Sequence, residues 1–213
     1  MAKTKLVVFD LDGTIQQTDR FAVPAHQRAQ KEMGVTVQTA EEIISHFGEW
    51  GEETAKFYLG TDDPVLIRQY LDYESQFEKL YIDEYDRPFD GMVDSLEKLR
   101  AAGYRVAICS NASERYIRMC VGALGIDALI DEIQPLADGI VCKDDSLRLL
   151  LERIKPDAAV MVGDRHFDWD AAVANEIPFI GCAYGFVPAE VENAPCAVQS
   201  AAEVFDAVER LIG

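Results

Sequence analysis

Two carboxylates, Asp10 and Asp12, stand two residues apart at the end of an apolar run, in the stretch Val7-Val8-Phe9-Asp10-Leu11-Asp12-Gly13-Thr14. On extended chain such residues fall on one side of the backbone, so the pair concentrates negative charge that a cation or shared protons must offset. The stretch Val160-Met161-Val162-Gly163-Asp164-Arg165-His166-Phe167-Asp168 repeats the pattern of apolar run, glycine and carboxylates. Asp164, at the tip of that run, is the better metal ligand, whereas Asp168 or Asp170 could equally cap the helix that follows. Between the two acidic stretches, Ser110-Asn111 follows a third apolar run and precedes a helical pattern. The Ser110 hydroxyl and nearby backbone N–H groups could hold a phosphoryl oxygen, or Ser110 could be a plain helix cap. Lys143 could neutralise a phosphate as a point charge, or be a solvated lysine.

These groups need strands to deliver them. Residues 6–9 are continuously apolar and rich in β-branched side chains, the pattern of a parallel strand covered on both faces, and Gly13 releases the chain from it. Ligands bind in the crevice beyond the carboxyl ends of such strands. Strand candidates recur at 104–109, 133–136, 159–162, 179–182 and 197–199. They alternate with helical patterns: Met92, Leu96 and Leu99; residues 112–124; Leu147, Leu150 and Leu151; and a last helix capped by Ser200-x-x-Glu203. The alternation predicts an α/β fold with a Rossmann-like parallel sheet core.

Residues 18–87 differ in character, with strand runs giving way to helical spacing. Pro24 is expected to open a helix that Gly34 closes, Thr39-x-x-Glu42 forms a capping box, and Asp63-Pro64 caps a long helix. Ile67, Tyr70, Leu71, Tyr73, Phe77, Leu80 and Tyr81 form a stripe along that helix and read as core packing. The expected organisation is a core of residues 1–17 and 88–213 carrying an inserted helical module of residues 18–87.

The 213 residues carry 38 acidic against 20 basic side chains, net −18, which repels a nucleic-acid backbone and argues against that partner. A small anionic substrate remains compatible, because a local site can be positive within an acidic whole. Cys109, Cys120, Cys142, Cys182 and Cys196 show no CxxC spacing and read as reduced thiols. No apolar run approaches the ~20 residues needed to cross a bilayer, so the expectation is a cytoplasmic protein without membrane contact.

The first acidic stretch resembles the DxDGT motif of the haloacid dehalogenase-like phosphohydrolases, and Ser110, Lys143 and Gly163-Asp164 stand in the order of that superfamily's remaining motifs, across about 160 residues. The resemblance implies that Asp10 is a nucleophile that becomes aspartyl-phosphate and that Asp12 is the acid/base. It implies phosphate binding by Ser110, Asn111 and Lys143. Mg²⁺ would be held by Asp10, Asp12 through its backbone carbonyl, and Asp164, with Asp168 as an acidic companion. Residues 18–87 resemble the family's helical cap, on which Arg20, His26, His46, Trp50 and Lys56 are candidate substrate contacts. The spelling around Gly163-Asp164-Arg165 is similar to the phosphoglycolate phosphatase and nucleotidase-like branch, implying a small phosphorylated metabolite such as phosphoglycolate or a nucleoside monophosphate as substrate. A phosphomutase of the β-phosphoglucomutase type and a non-catalytic binding protein of the same fold are the alternatives. Gln16-Gln17-Thr18-Asp19, and Asp144-Asp145 after Lys143, depart from the family's usual spelling and put substrate selection in doubt.

Overall fold

The apolar run before Asp10 lies at the centre of a parallel sheet. In a computed structural model, which describes residues 3–136 and 142–213, strands β1 (Lys5–Phe9), β2 (Arg105–Cys109), β3 (Glu132–Gln134), β4 (Ala158–Gly163), β5 (Phe179–Cys182) and β6 (Ala197–Val198) pair in the order β3-β2-β1-β4-β5-β6. All five pairings are parallel. Period-two alternation explains why these strands are apolar throughout. Val7 and Phe9 join Val106, Ile108, Val160 and Val162 on one face, while Leu6 and Val8 join Ala107, Cys109, Ala159 and Met161 on the other. Burying one such side chain contributes about 1.5–3 kcal/mol, so neither face tolerates a polar substitution.

Helices cover both faces. The first is covered by α5 (Met92–Ala101), α6 (Glu114–Leu124) and α10 (Val204–Ile212), and the second by α7 (Lys143–Ile154) and α8 (His166–Ala174); the short α9 (Pro188–Val191) follows β5. Four helices stand between β1 and α5: α1 (Asp19–Met33), α2 (Ala40–Ser45), α3 (Gly51–Leu59) and α4 (Pro64–Tyr85). The fold is therefore a Rossmann-like α/β core with an inserted helical cap. The chain enters and leaves the insert side by side: Gln17 N–H donates to the Arg87 carbonyl at 2.8 Å, and the Gln17 side chain donates to the Pro88 carbonyl at 2.9 Å.

Several local expectations need correction. Pro24 does not open α1 but lies inside it, because the helix begins a turn earlier at Asp19. Gly34 closes α1 in the left-handed conformation, as expected. Ser110 caps no helix; Ser113 takes that place, its hydroxyl accepting from the Tyr116 N–H. Ser200 hydrogen-bonds Glu203 over a 3₁₀ turn of residues 201–203, and α10 starts only after it. In α4, Ile67, Tyr70 and Phe77 are buried, whereas Leu80 is 60% exposed and outside the packed stripe. No described helix is long and apolar enough to cross a membrane.

Candidate active site

Asp10 follows β1 directly and its N–H donates to the Val162 carbonyl at 2.8 Å, which fixes it between the tips of β1 and β4. Its carboxylate meets the ammonium of Lys143, the first residue of α7. The same ammonium reaches Asp168 at 2.5 Å. Lys143 is only 6% exposed. Burial alone would lower its pKa, but Asp10 and Asp168 more than offset that and the net shift is upward, so it stays a cation.

Asp164 lies one residue past β4, where its two oxygens accept from the Thr14 hydroxyl at 3.1 Å and the Phe186 N–H at 2.9 Å. Two glycines make room for this crowding. Gly13 has φ +81°, and a Cβ there would strike the Asp164 carboxylate and the Phe186 ring. A Cβ on Gly163 would occupy the space of the Asp168 carboxylate. Asp168 also accepts from the Arg165 N–H at 3.1 Å, so it both caps α8 and faces Lys143. Asp170 is exposed and outside the site.

Asp10, Asp164 and Asp168 each offer a carboxylate oxygen, and these oxygens lie within 4.8 Å of one another. Burial is the main cause that raises Asp10 well above the ordinary carboxylate range; Lys143 opposes the rise, while Asp168 and Asp164 add to it. Burial, with Asp168 next, pushes Asp164 up to about 7. An all-oxygen, anionic donor set with this much unrelieved charge fits a hard divalent cation better than a thiophilic one.

Asp12 is placed apart from that trio. A single oxygen, Oδ1, accepts from Gln16 Nε2 at 2.7 Å, the Thr18 hydroxyl at 2.7 Å and the Tyr116 hydroxyl at 2.8 Å. Thr18 precedes α1 and gives that helix no side-chain cap. Residue types alone did not single out Gln16, Thr18 or Tyr116 as partners of Asp12. Ser110 is buried beside the same mouth, its oxygen accepting from the Ala112 N–H at 3.2 Å. Asn111 faces the cavity as well; one N–H of its amide donates to the Gly48 carbonyl at 2.9 Å and ties two loops together, while the second has no partner among the described residues.

The mouth opens into a cavity of about 420 Å³ between the sheet's carboxyl edge and the inserted helices. His26 and His46 line it; Arg20, Trp50 and Lys56, grouped with them as candidate contacts, do not. Lys56 instead pairs with Glu53 at 2.5 Å. The cavity wall also holds Tyr70, Glu74 and Glu78 of α4, none of which the sequence marked as a contact. Their signal was present: at i, i+4 and i+8 they continue one face of the helix, so two acids occupy positions where the pattern calls for apolar side chains. Across the cavity, the Arg165 guanidinium pairs with Glu190 at 2.9 Å and donates to the Phe47 carbonyl.

The sequence matches the family model of haloacid dehalogenase-like hydrolases over residues 7–182. The chain belongs to that family. Among its relatives, a phosphoglycolate phosphatase of Nitrosospira multiformis is 32% identical over 196 residues, which is 85% of this chain and 84% of the relative. The tyrosine-protein kinase PtkA of Mycobacterium tuberculosis is 27% identical over 98% of this chain and 72% of the relative. Among solved structures, a predicted phosphatase from Clostridium acetobutylicum superposes with a TM-score of 0.86 at 21% identity, covering 99% of this chain and all of that one, a likeness of fold. This haloacid dehalogenase-like hydrolase therefore shares its architecture with phosphatases along nearly its whole length.

Proposed function

We propose that the protein is a Mg²⁺-dependent phosphatase that hydrolyses a small organic phosphate monoester through an aspartyl-phosphate on Asp10. The observation that carries the reading is the placement of Asp10 against Lys143, with a second carboxylate, Asp12, held by three donors at the same mouth. Asp10, Asp164 and Asp168 would hold the ion, together with the backbone carbonyl of Asp12 as a further expected ligand. When bound, Mg²⁺ screens the approach of a dianionic phosphate to an anionic nucleophile.

The remaining chemistry belongs to side chains of this chain. An oxygen of Asp10 attacks phosphorus as the bond from phosphorus to the leaving oxygen breaks. Asp12 Oδ2, the oxygen outside the three-donor network, gives the leaving alcohol its proton. Asp12 then takes a proton from water, which attacks phosphorus and restores the Asp10 carboxylate. Lys143 and Ser110 bear on the phosphoryl oxygens, where charge gathers in the transition state. The helices of residues 18–87 act as a cap that closes over the site, moving on the paired segments at 16–19 and 87–91. The expected setting is the cytoplasm and the partner a small phosphorylated metabolite.

The test is phosphate release from a panel of monoesters, including phosphoglycolate and nucleoside monophosphates, with Mg²⁺ and with EDTA. Metal-dependent release that disappears in Asp10→Asn is expected. Phosphate passed to an acceptor hydroxyl with little free phosphate would assign a mutase or kinase reaction. No release and no transfer across the panel would leave a binding protein.

A further inference from the structure

The far wall of the cavity has a charge problem that the phosphoryl site does not solve. Glu74 and Glu78, one turn apart on α4, both line it. Glu78 is only 6% exposed, and among the described residues neither a cation nor an amide donor reaches it; the charges acting on it are Glu74 and Asp12, both acids, and its one hydrogen-bond partner is the Glu74 carboxyl. A carboxyl so buried without a counter-charge is costly to the fold, which makes its position informative.

The cavity's basic groups are committed elsewhere. Lys143 is taken by Asp10 and Asp168, and Arg165 by Glu190 and the Phe47 carbonyl. His46 is paired with Glu49 at 2.8 Å. His26 lies 3.7 Å from Glu74 but is pushed down to about 4 by burial, so it faces Glu74 as a neutral ring while its Nδ1 meets the Tyr70 hydroxyl at 2.7 Å. Among the described residues no positive charge therefore balances the two acids of α4.

We propose that Glu74 and Glu78 form a subsite for an ammonium group carried by the leaving alcohol, so that the preferred substrate is an amine-bearing phosphate monoester. The inference rests on the phosphatase reading above and narrows its substrate. An ammonium brings one positive charge and three donors to two carboxyls and the Tyr70 oxygen. A polyol supplies donors but no positive charge, and a carboxylate, as in phosphoglycolate, adds a third acid to the wall. Burial first, then Glu74 and Asp12, hold Glu78 well above the ordinary carboxylate range, while burial lifts Glu74 to about 7; a bound cation relieves both.

The test uses ω-aminoalkyl phosphates of two to six carbons, n-alkyl phosphates of matching length, and phosphoglycolate. For at least one length, kcat/KM for the amine should exceed that of its alkyl counterpart roughly tenfold or more, the range of one charge-assisted hydrogen bond. Phosphoglycolate should be the poorer substrate. In Glu74→Gln and Glu78→Gln the ratio of amine to alkyl ester should fall toward one. Equal kcat/KM for amine and alkyl esters at every length, or a ratio that survives in both variants, overturns the subsite. A second arm measures binding of the same esters to the Asp10→Asn protein with Mg²⁺ by calorimetry. If no ester is hydrolysed, the phosphatase reading fails, yet tighter binding of the amine still supports the subsite and equal binding overturns it.

Discussion

The Thr18 hydroxyl donates to Asp12 at 2.7 Å and leaves the helix it precedes uncapped. An ordinary threonine at an N-cap satisfies the first turn of its own helix, a contribution of about 1 kcal/mol. Here that contribution is absent and the bond goes to the proposed acid/base. Thr18→Val, which keeps the shape and removes the hydroxyl, should lower phosphate release roughly tenfold, about the worth of one bond to a charged group. Thermal unfolding should hardly change. A variant that loses several degrees in Tm but keeps its turnover would show that the hydroxyl serves the fold.

Asp12 carries the proton in the proposed mechanism, while its place in metal binding falls to its backbone. Asp12→Asn should therefore spare Mg²⁺ affinity, read by calorimetry, and reduce turnover by about 10²- to 10⁴-fold. Near-normal turnover would remove Asp12 from the chemistry.

Lys143 is the cation that offsets the buried carboxylates in metal-free protein. Lys143→Met keeps most of the volume and leaves Asp10 and Asp168 beside Asp164 without a counter-charge. In EDTA the variant should be destabilised by about 3–5 kcal/mol, and Mg²⁺ should raise its Tm by more than it raises that of the wild type. Equal melting temperatures in EDTA would mean that the carboxylates there do not repel.

Asp86, at the carboxyl end of α4, is 5% exposed, and burial first, then Asp12, raise its pKa from 3.8 to about 7. The folded chain thus keeps a proton that the unfolded chain has released. The stability this provides is full below pH ~4 and is lost as pH rises toward 7, with a flat dependence above that. Asp86→Asn should lessen the slope, the rest coming from Asp10, Asp164, Glu74 and Glu78, and leave the protein more stable at pH 8, on the order of 2 kcal/mol after allowing for relaxation around the charge. Unfolding followed from pH 4 to 8 decides this, and an identical slope in the variant would place the titration elsewhere.

Much of the site was legible because its parts stand at strand tips. Asp10, Asp164 and Lys143 each sit within a residue or two of an apolar run or a helix start, and a parallel sheet brings such tips to one edge whatever the rest of the chain does. Asp168 was read as a companion acid, and it lies in the carboxylate trio because Gly163 leaves room for it. The cap was harder to read. Its helix caps at Thr39 and Asp63 are local patterns and were visible, but which face meets the cavity depends on how α1 and α4 pack. That packing left Arg20, Trp50 and Lys56 outside and brought in Glu74 and Glu78. Tyr116 lies 104 residues from Asp12, a separation that no local spacing can report.

The neck at Gln17 and Arg87 has a consequence for how such an enzyme can be altered. Because entry and exit are stitched to each other by backbone and side-chain bonds, the insert joins the core covalently at one seam, with Asn111 to Gly48 and Arg165 to Phe47 as further ties. The register of β1 against β2 and β4 is set wholly outside that seam. A foreign helical cassette joined at these two residues would meet the same stubs a few ångströms apart, leaving Asp10 where it stands, and would bring its own wall to the cavity. The seam makes the inserted helices exchangeable, so a graft that also remakes the bonds from Asn111 and Arg165 should change which ester is cleaved while leaving the cleavage itself to the host.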